Sequence, residues 1–281
     1  TGDLSWLRTR GFPVIKATAD YWISRVKFNP IKGRYEIHQV VPPDENADLV
    51  NNSAYTNAIA KLNLEIAARA AKLVGASPNP KWLDVAAKLY IPFDFKNRRF
   101  IPFDDYKGYD AKQADVELLV YPLQFSFPGQ NMTDIYKNTL SYYAPKVLAN
   151  GPAMSSSAHA VIAARLGDCI SAYNYWRKSC MPYIRGPFNY FNEKKSLTVD
   201  NMCFLTGAVG PIQAILFGFA GLKMDYFADG PISLDQINDF CLPKQWKSLK
   251  ITGVRWQGKI YDVTITPKKK IYTQYTLQAK R

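Results

Sequence analysis

No stretch of the sequence has the roughly 20 consecutive apolar residues that a bilayer-crossing helix requires. The most apolar run, Ala208 to Leu222, is broken by Gln213 and three glycines. It reads as a buried helix, and no membrane partner is expected. Histidine is nearly absent: His38 and His159 are the only two. The four cysteines, Cys169, Cys180, Cys203 and Cys241, form no C-x-x-C pair and have no histidine at zinc-ligand spacing, so neither a metal nor another cofactor is expected. There is no internal repeat, and with 47% apolar and 14% aromatic residues the chain is no disordered tail.

Acidic residues are few, 23 against 36 basic ones, for a formal charge of +13. That balance invites a nucleic-acid reading until its location is considered. From Lys244 to Arg281 only Asp262 opposes ten lysines and arginines, so the excess belongs to the C-terminal segment. The run Lys268, Lys269, Lys270 reads as a solvated strand end. It lacks the interleaved glycines and aromatics of an RNA-binding sheet, and a nucleic-acid partner is not expected. The even cysteine count permits two disulfides, and Asn51 (N-N-S) and Asn131 (N-M-T) are glycosylation sequons. Both lean towards a secreted or lysosomal protein, with the cytoplasm left open. The chain starts at Thr1 without a signal sequence, which suggests either a processed product or a piece of a longer precursor.

Helical spacing dominates the first 222 residues. Ile15, Ala19, Trp22, Ile23 and Val26 predict a helix over 13–26, and Ile59, Leu62, Ile66, Ala70 and Leu73 predict one over 53–74 that Gly75 ends. Further helices are expected at 79–89, 110–121, 132–143, 155–166, 169–181 and 206–221, with Thr133, Ser155 and Thr206 as N-caps. Their connections 29–52, 90–109 and 182–203 are long and rich in proline and aromatics, as functional loops often are. After Leu222 the texture alternates, with strands expected at 249–252, 260–265 and 271–277. The expected division is therefore a helical portion, 1–222, and a small β-module, 223–281.

Three polar clusters could carry chemistry. In V-V-P-P-D-E-N (40–46) two prolines fix the approach to Glu45, and V-N-N-S-A-Y-T-N (50–57) follows. The plain alternative is a loop ending in a helix cap. In A-K-Q-A-D-V (111–116) Lys112 and Gln113 could reach sugar hydroxyls, or the segment is a solvated helix start. In F-N-E-K-K-S (191–196) Glu193 beside two lysines could equally be a surface ion pair. His38 and His159 read as structural. Trp22 and Tyr55 stand out as stacking platforms for a pyranose ring.

These clusters, taken in order with W-L-R-T-R-G-F-P-V (6–14), A-D-Y-W-I-S-R (19–25), G-P-A-M-S-S-S-A-H-A (151–160) and F-L-T-G-A-V-G-P-I-Q-A (204–214), resemble glycoside hydrolase family 65 over nearly the whole chain. That group holds acid trehalases, maltose and kojibiose phosphorylases and the glucosidase acting on glucosylgalactosyl-hydroxylysine of collagen. The resemblance implies a mainly α fold: the C-terminal part of an (α/α)6 barrel followed by a small β-sandwich-like module. It implies Glu45 as general acid and Glu193 as general base, with Lys112 and Gln113 contacting the sugar and Trp22 and Arg25 on a helix near the pocket.

The implied activity is an inverting exo-α-glucosidase that releases glucose from an α-glucoside such as glucosylgalactosyl-hydroxylysine or trehalose. In such a reaction one carboxyl protonates the leaving oxygen while the other activates water on the opposite face of the ring. A disaccharide phosphorylase is the nearer alternative, but the 188–203 loop has Glu193 and lacks the family's phosphate-site histidine. A non-catalytic carbohydrate-binding, storage or structural relative is the other. The sequence departs from the family pattern at Asn46, where an aromatic is usual. The N-terminal β-sandwich, the first barrel helices and an upstream sugar-binding Asp of full-length relatives have no counterpart before Trp6. A separate chain, from the same precursor, is therefore expected to complete the barrel.

Overall fold

The computed structural model describes residues 2–196, 203–223, 240–256 and 259–275. They gather into two compact units, one of residues 3–149 and one formed from Asn150 onward.

The first unit opens with a short helix, α1 (Leu4–Trp6), a π-helical turn (Leu7–Gly11) and α2 (Phe12–Arg25), whose Pro13 sits where a first turn needs no N–H. A hairpin of β1 (Lys27–Asn29) and β2 (Arg34–Glu36) leads to the central helix α3 (Ala54–Leu73). Ser53 caps α3 by accepting the Thr56 N–H. Of the stripe expected on α3 only Ala70 is buried. Ala60, Leu64, Ala67, Ala68 and Ala71 lie in the core, while Ile59, Leu62 and Ile66 are half-buried and Leu73 is exposed. Alanines let α2 and α4 (Pro80–Lys88) approach closely, and the large side chain in the middle is supplied by Trp82, whose indole N–H donates to Asp20 at 3.0 Å. The stripe read on α2 does face this core: Ala19 is fully buried, with Ile15, Trp22, Ile23 and Val26 packed around it.

The 90–109 connection holds a second hairpin, β3 (Phe93–Asp94) with β4 (Arg99–Phe100). The helix expected over 110–121 is reduced to α5 (Glu117–Val120). Carboxylates take the N–H groups of Lys112 and Asp115 before helical carbonyls can, so 110–116 stays irregular. In α6 (Met132–Tyr143) the cap is Asn131, not Thr133, because Asn131 Oδ1 accepts the Thr133 N–H at 3.0 Å.

The second unit pairs α7 (Ser155–Arg165) with α8 (Cys169–Cys180), the latter capped by Asp168. Ser155 lies inside the first turn of α7 and makes no cap. After the β5 (Ile184–Arg185) and β6 (Tyr190–Phe191) hairpin, α9 (Leu205–Gln213) runs into a π-helical segment, Ala214–Phe219; Phe204 precedes it where Thr206 was expected as the cap. The chain then forms one antiparallel sheet, β7 (Leu249–Trp256), β8 (Lys259–Thr266) and β9 (Lys269–Tyr275), bulged where Gly253 takes a φ of +74°. Val263 and Ile265 on its inner side share a small core with Ala220. Among the described residues this is a single three-stranded sheet; residues 224–239, 257–258 and 276–281 of the expected sandwich-like module lie outside the described residues. The boundary expected at 222 adjoins residues 224–239, which lie outside the described residues. One disulfide forms, Cys169–Cys241, and not the two the count permits; Cys180 and Cys203 are free thiols. No helix among the described residues is long and apolar enough to cross a membrane.

Candidate active site

The P-P-D-E segment lies on a loop that is closed at its base. Val40 and Val50 exchange backbone hydrogen bonds of 3.0 and 2.9 Å. Arg25, at the end of α2, donates to the carbonyls of His38 (2.7 Å) and Gln39 (3.1 Å). The N-N-S sequence that follows does three jobs. Asn51 Oδ1 accepts the Gln39 N–H, Asn52 Oδ1 accepts the Ile37 N–H while its Nδ2 donates to Asp104 at 2.7 Å, and Ser53 caps α3. Asn52 takes a φ of +54°, a conformation Asn tolerates better than most residues. The loop is thereby held to both α2 and α3.

At its tip Asp44 and Glu45 go opposite ways. Asp44 is 2% exposed, and its Oδ1 accepts the N–H of Lys112 at 2.8 Å and of Asn46 at 3.2 Å. The side chain of Glu45 is 56% exposed and forms an ion pair with the Lys112 ammonium. Gln113 is buried, with its Nε2 donating to the Pro43 carbonyl at 2.7 Å and its Oε1 left without a hydrogen-bond partner. The structure therefore joins two segments 67 to 71 residues apart in sequence, and brings Glu45 and Lys112 into contact. Gln113 supports the loop from behind.

Three buried acidic residues adjoin one another where the two segments meet. Asp44, Asp115 and Glu117 are each less than 4% exposed. Burial, then the neighbouring Glu117 and Asp44 charges, hold the Asp115 carboxyl well above the usual carboxylate range. Burial first, and the charge of Asp115 second, also raise the phenol of Tyr55, in the first turn of α3. Tyr109, 42% exposed and packed on Tyr106 with centroids 4.9 Å apart, is raised by burial and by Asp44 and Asp115. Trp22 sits half-buried against the α2–α3 core, edge-on to Tyr21.

Glu193 belongs to the second unit, just after β6. It is half-buried, its carbonyl accepts the Ala153 N–H at 3.0 Å, and its carboxylate lies 3.7 Å from Lys194. The loop is fastened by Arg185, whose guanidinium donates to the carbonyls of Lys194, Lys195 and Ser196, and by Asn192, whose N–H reaches Tyr183. The two histidines are elsewhere: His38 lies 3.2 Å from Glu36, and His159 is buried with its ring edge-on to Tyr175. Asn131 of the second sequon caps α6. Among the described residues no cluster of His, Cys, Asp or Glu could hold a metal ion.

Sequence reasoning missed Asp44, Glu117, Asn52 and Arg185, all of which act on backbone groups. Only Asp44 carried a signal, as an acid wedged between a proline pair and the candidate catalytic acid.

Two family models match the chain: the glycosyl hydrolase family 65 central catalytic domain over residues 1–111, which includes Glu45, and the C-terminal domain of the same family over residues 240–277, which includes the sheet. The chain belongs to glycoside hydrolase family 65. A family 65 kojibiose hydrolase of Flavobacterium johnsoniae is 37% identical over 94% of this chain, and a protein-glucosylgalactosylhydroxylysine glucosidase of Danio rerio is 35% identical over 95%. The chain spans 37% and 39% of the length of those two relatives. A solved structure of a protein assigned as a kojibiose phosphorylase, from the human microbiome, superposes on 98% of the chain and 41% of its own, with a TM-score of 0.71 at 18% identity. That likeness supports the mainly helical fold.

Proposed function

We propose that the chain supplies the catalytic portion of an inverting exo-acting α-glucosidase, with Glu45 as general acid and Glu193 as general base. Lys112 and Tyr55 face the sugar, while Gln113, Arg25 and Trp22 support the loop that presents Glu45. Residues 1–222 are the part of an (α/α)6 barrel that carries this chemistry, and 223–281 form the accessory β-module. A separate chain completing the barrel belongs to the same reading.

The observation that carries it is the placement of Glu45: an open carboxyl group on a loop pinned by buried hydrogen bonds from a second family motif. A bare cap or solvated loop has no use for such anchoring. Relatives named for hydrolysing kojibiose and a glucosyl-galactosyl conjugate point to glucose in α-linkage as the departing sugar. The Cys169–Cys241 bridge supports a secreted or lysosomal site of action.

The test is glucose release from kojibiose, trehalose and glucosylgalactosyl-hydroxylysine without phosphate, keeping any chain that copurifies. The first-formed anomer should be β by NMR, the inverted product. Glu45→Gln and Glu193→Gln should each lower kcat by about 10²–10⁴-fold. Azide should restore turnover only in Glu193→Gln, as a small nucleophile that needs no base. Silence on all three substrates, or full activity in both variants, sinks the assignment.

A further inference from the structure

Family membership draws the eye to Glu45 and leaves its neighbour unexplained. A carboxylate buried to 2% exposure is costly unless something requires it. Among the described residues the partners of the Asp44 carboxylate are backbone amides on two sides. One Oδ1 atom takes the N–H of Asn46, immediately beyond Glu45, and the N–H of Lys112. Its own N–H leans on Asp115 Oδ2 at 3.4 Å. Thus the residue before Glu45 holds both the residue after it and the main chain of the lysine that pairs with it.

We infer that Asp44 is a positioning residue: its carboxylate sets the distance between the Glu45 carboxyl and the Lys112 ammonium by clamping the backbones that carry them. The geometry gives a reason. Both partners are side chains with several rotatable bonds, one of them 56% exposed, so a surface ion pair alone would hold them loosely. Fixing both main chains to a single buried oxygen removes the relative motion of their Cα atoms, and a misplacement of about 1 Å at a reacting group costs about 10²-fold in rate. Gln113, holding the Pro43 carbonyl, fixes the same loop from its other side.

The inference rests on the proposed role of Glu45, and the test separates the two. Because both bonds end on one oxygen, Asp44→Asn keeps the acceptor and Asp44→Ala removes it. In the chain as it purifies, with any associated chain kept, Asp44→Ala should lower kcat about 100-fold with KM little changed, while Asp44→Asn stays within about threefold of the parent. A purely structural role would lower the folded fraction and leave kcat per folded molecule intact, so melting curves accompany the kinetics. Hydrogen exchange on the unmodified protein is the measurement that survives a misfolded variant: the amides of Asn46 and Lys112 should be protected despite lying in loops, and exchange at free-peptide rates overturns the clamp. Undiminished kcat in Asp44→Ala, or an equal loss in the Asn and Ala variants, also overturns it. Glu45→Gln, run alongside, reports on the proposed chemistry: if it retains activity while the Asn46 and Lys112 amides are protected, the acid assignment falls and the clamp remains.

Discussion

At the scale of single residues the most consequential group besides Glu45, the proposed acid, is Asp115. It is 3% exposed, and among the described residues its carboxyl accepts only a long bond from the Asp44 N–H and leaves Oδ1 without a partner. Burial and the charges of Glu117 and Asp44 raise its folded-state pKa. In the unfolded chain the group ionises near the ordinary value of about 3.9, so between that pH and the raised folded value the native state binds more protons than the unfolded one. Stability therefore falls as pH rises through this window, by about 1.4 kcal/mol for each unit the two values differ, and levels off above the folded pKa. Asp115→Asn keeps an acceptor for Asp44 and cannot ionise. The variant should be more stable than the parent at pH 7.5, with the advantage shrinking towards pH 4. Urea midpoints at both pH values check this, and a variant that is less stable at pH 7.5 would show that the carboxylate is compensated by contacts other than those described.

Among the elements, α9 shows why a motif can be legible while its purpose is not. F-L-T-G-A-V-G-P marked a helix and a family, but nothing in the string says why its glycines are glycines. A Cβ on Gly207 would lie 2.7 Å from the Ala153 carbonyl oxygen and 2.7 Å from the Phe191 ring, and one on Gly210 would meet the Ser157 side chain. Ala153 in turn donates to the Glu193 carbonyl. Gly207→Ala should therefore cost about 1–3 kcal/mol by overpacking. It should also lower glucose release beyond the loss of folded protein, since the push falls on residues touching the Glu193 loop; a melting curve and kcat per folded molecule read both, and an unshifted melt refutes the packing argument. The helices at 13–26, 53–74, 132–143 and 169–181 were readable because apolar residues recur along them at helical spacing. Two features were not. The buried face of α3 is mostly alanine, which a count of bulky residues overlooks, and the 110–121 helix is cut short because Asp44, 68 residues away, captures the Lys112 amide and Glu117, two residues on, captures that of Asp115. The site divides in the same way: Glu45, Lys112 and Gln113 could be named from motifs, whereas the buried acids and asparagines that hold them act on backbone groups and leave no pattern of spacing.

For the molecule as a whole, the bridge Cys169–Cys241 ties the first turn of α8 to the segment that leads into the sheet, 72 residues later. That segment is also held without it. The Cys241 N–H donates to the Phe219 carbonyl at 3.0 Å, and Trp246 packs edge-on against Trp176 and Phe219 with centroids 5.4 and 5.0 Å away. The native contacts should therefore survive loss of the bridge, and its removal should act mainly through the unfolded chain, which regains the freedom of a long loop. For a loop of this size the chain-entropy relation gives about 4 kcal/mol. The double variant Cys169→Ser, Cys241→Ser should fold, keep the Trp246 packing by near-UV circular dichroism, and lose stability by that amount in urea, as should the parent in a thiol reductant. Hydrogen exchange should place the loss in α8 and in β8, whose inner residues Val263 and Ile265 share a core with Ala220 at the end of the π-helical segment. If reductant leaves the midpoint unchanged, the aromatic cluster alone fixes the sheet to its helices and the bridge contributes nothing to folding. If the variant instead loses its near-UV signal, the bridge is required for the packing itself, and the oxidising compartment inferred from it becomes a condition for the fold.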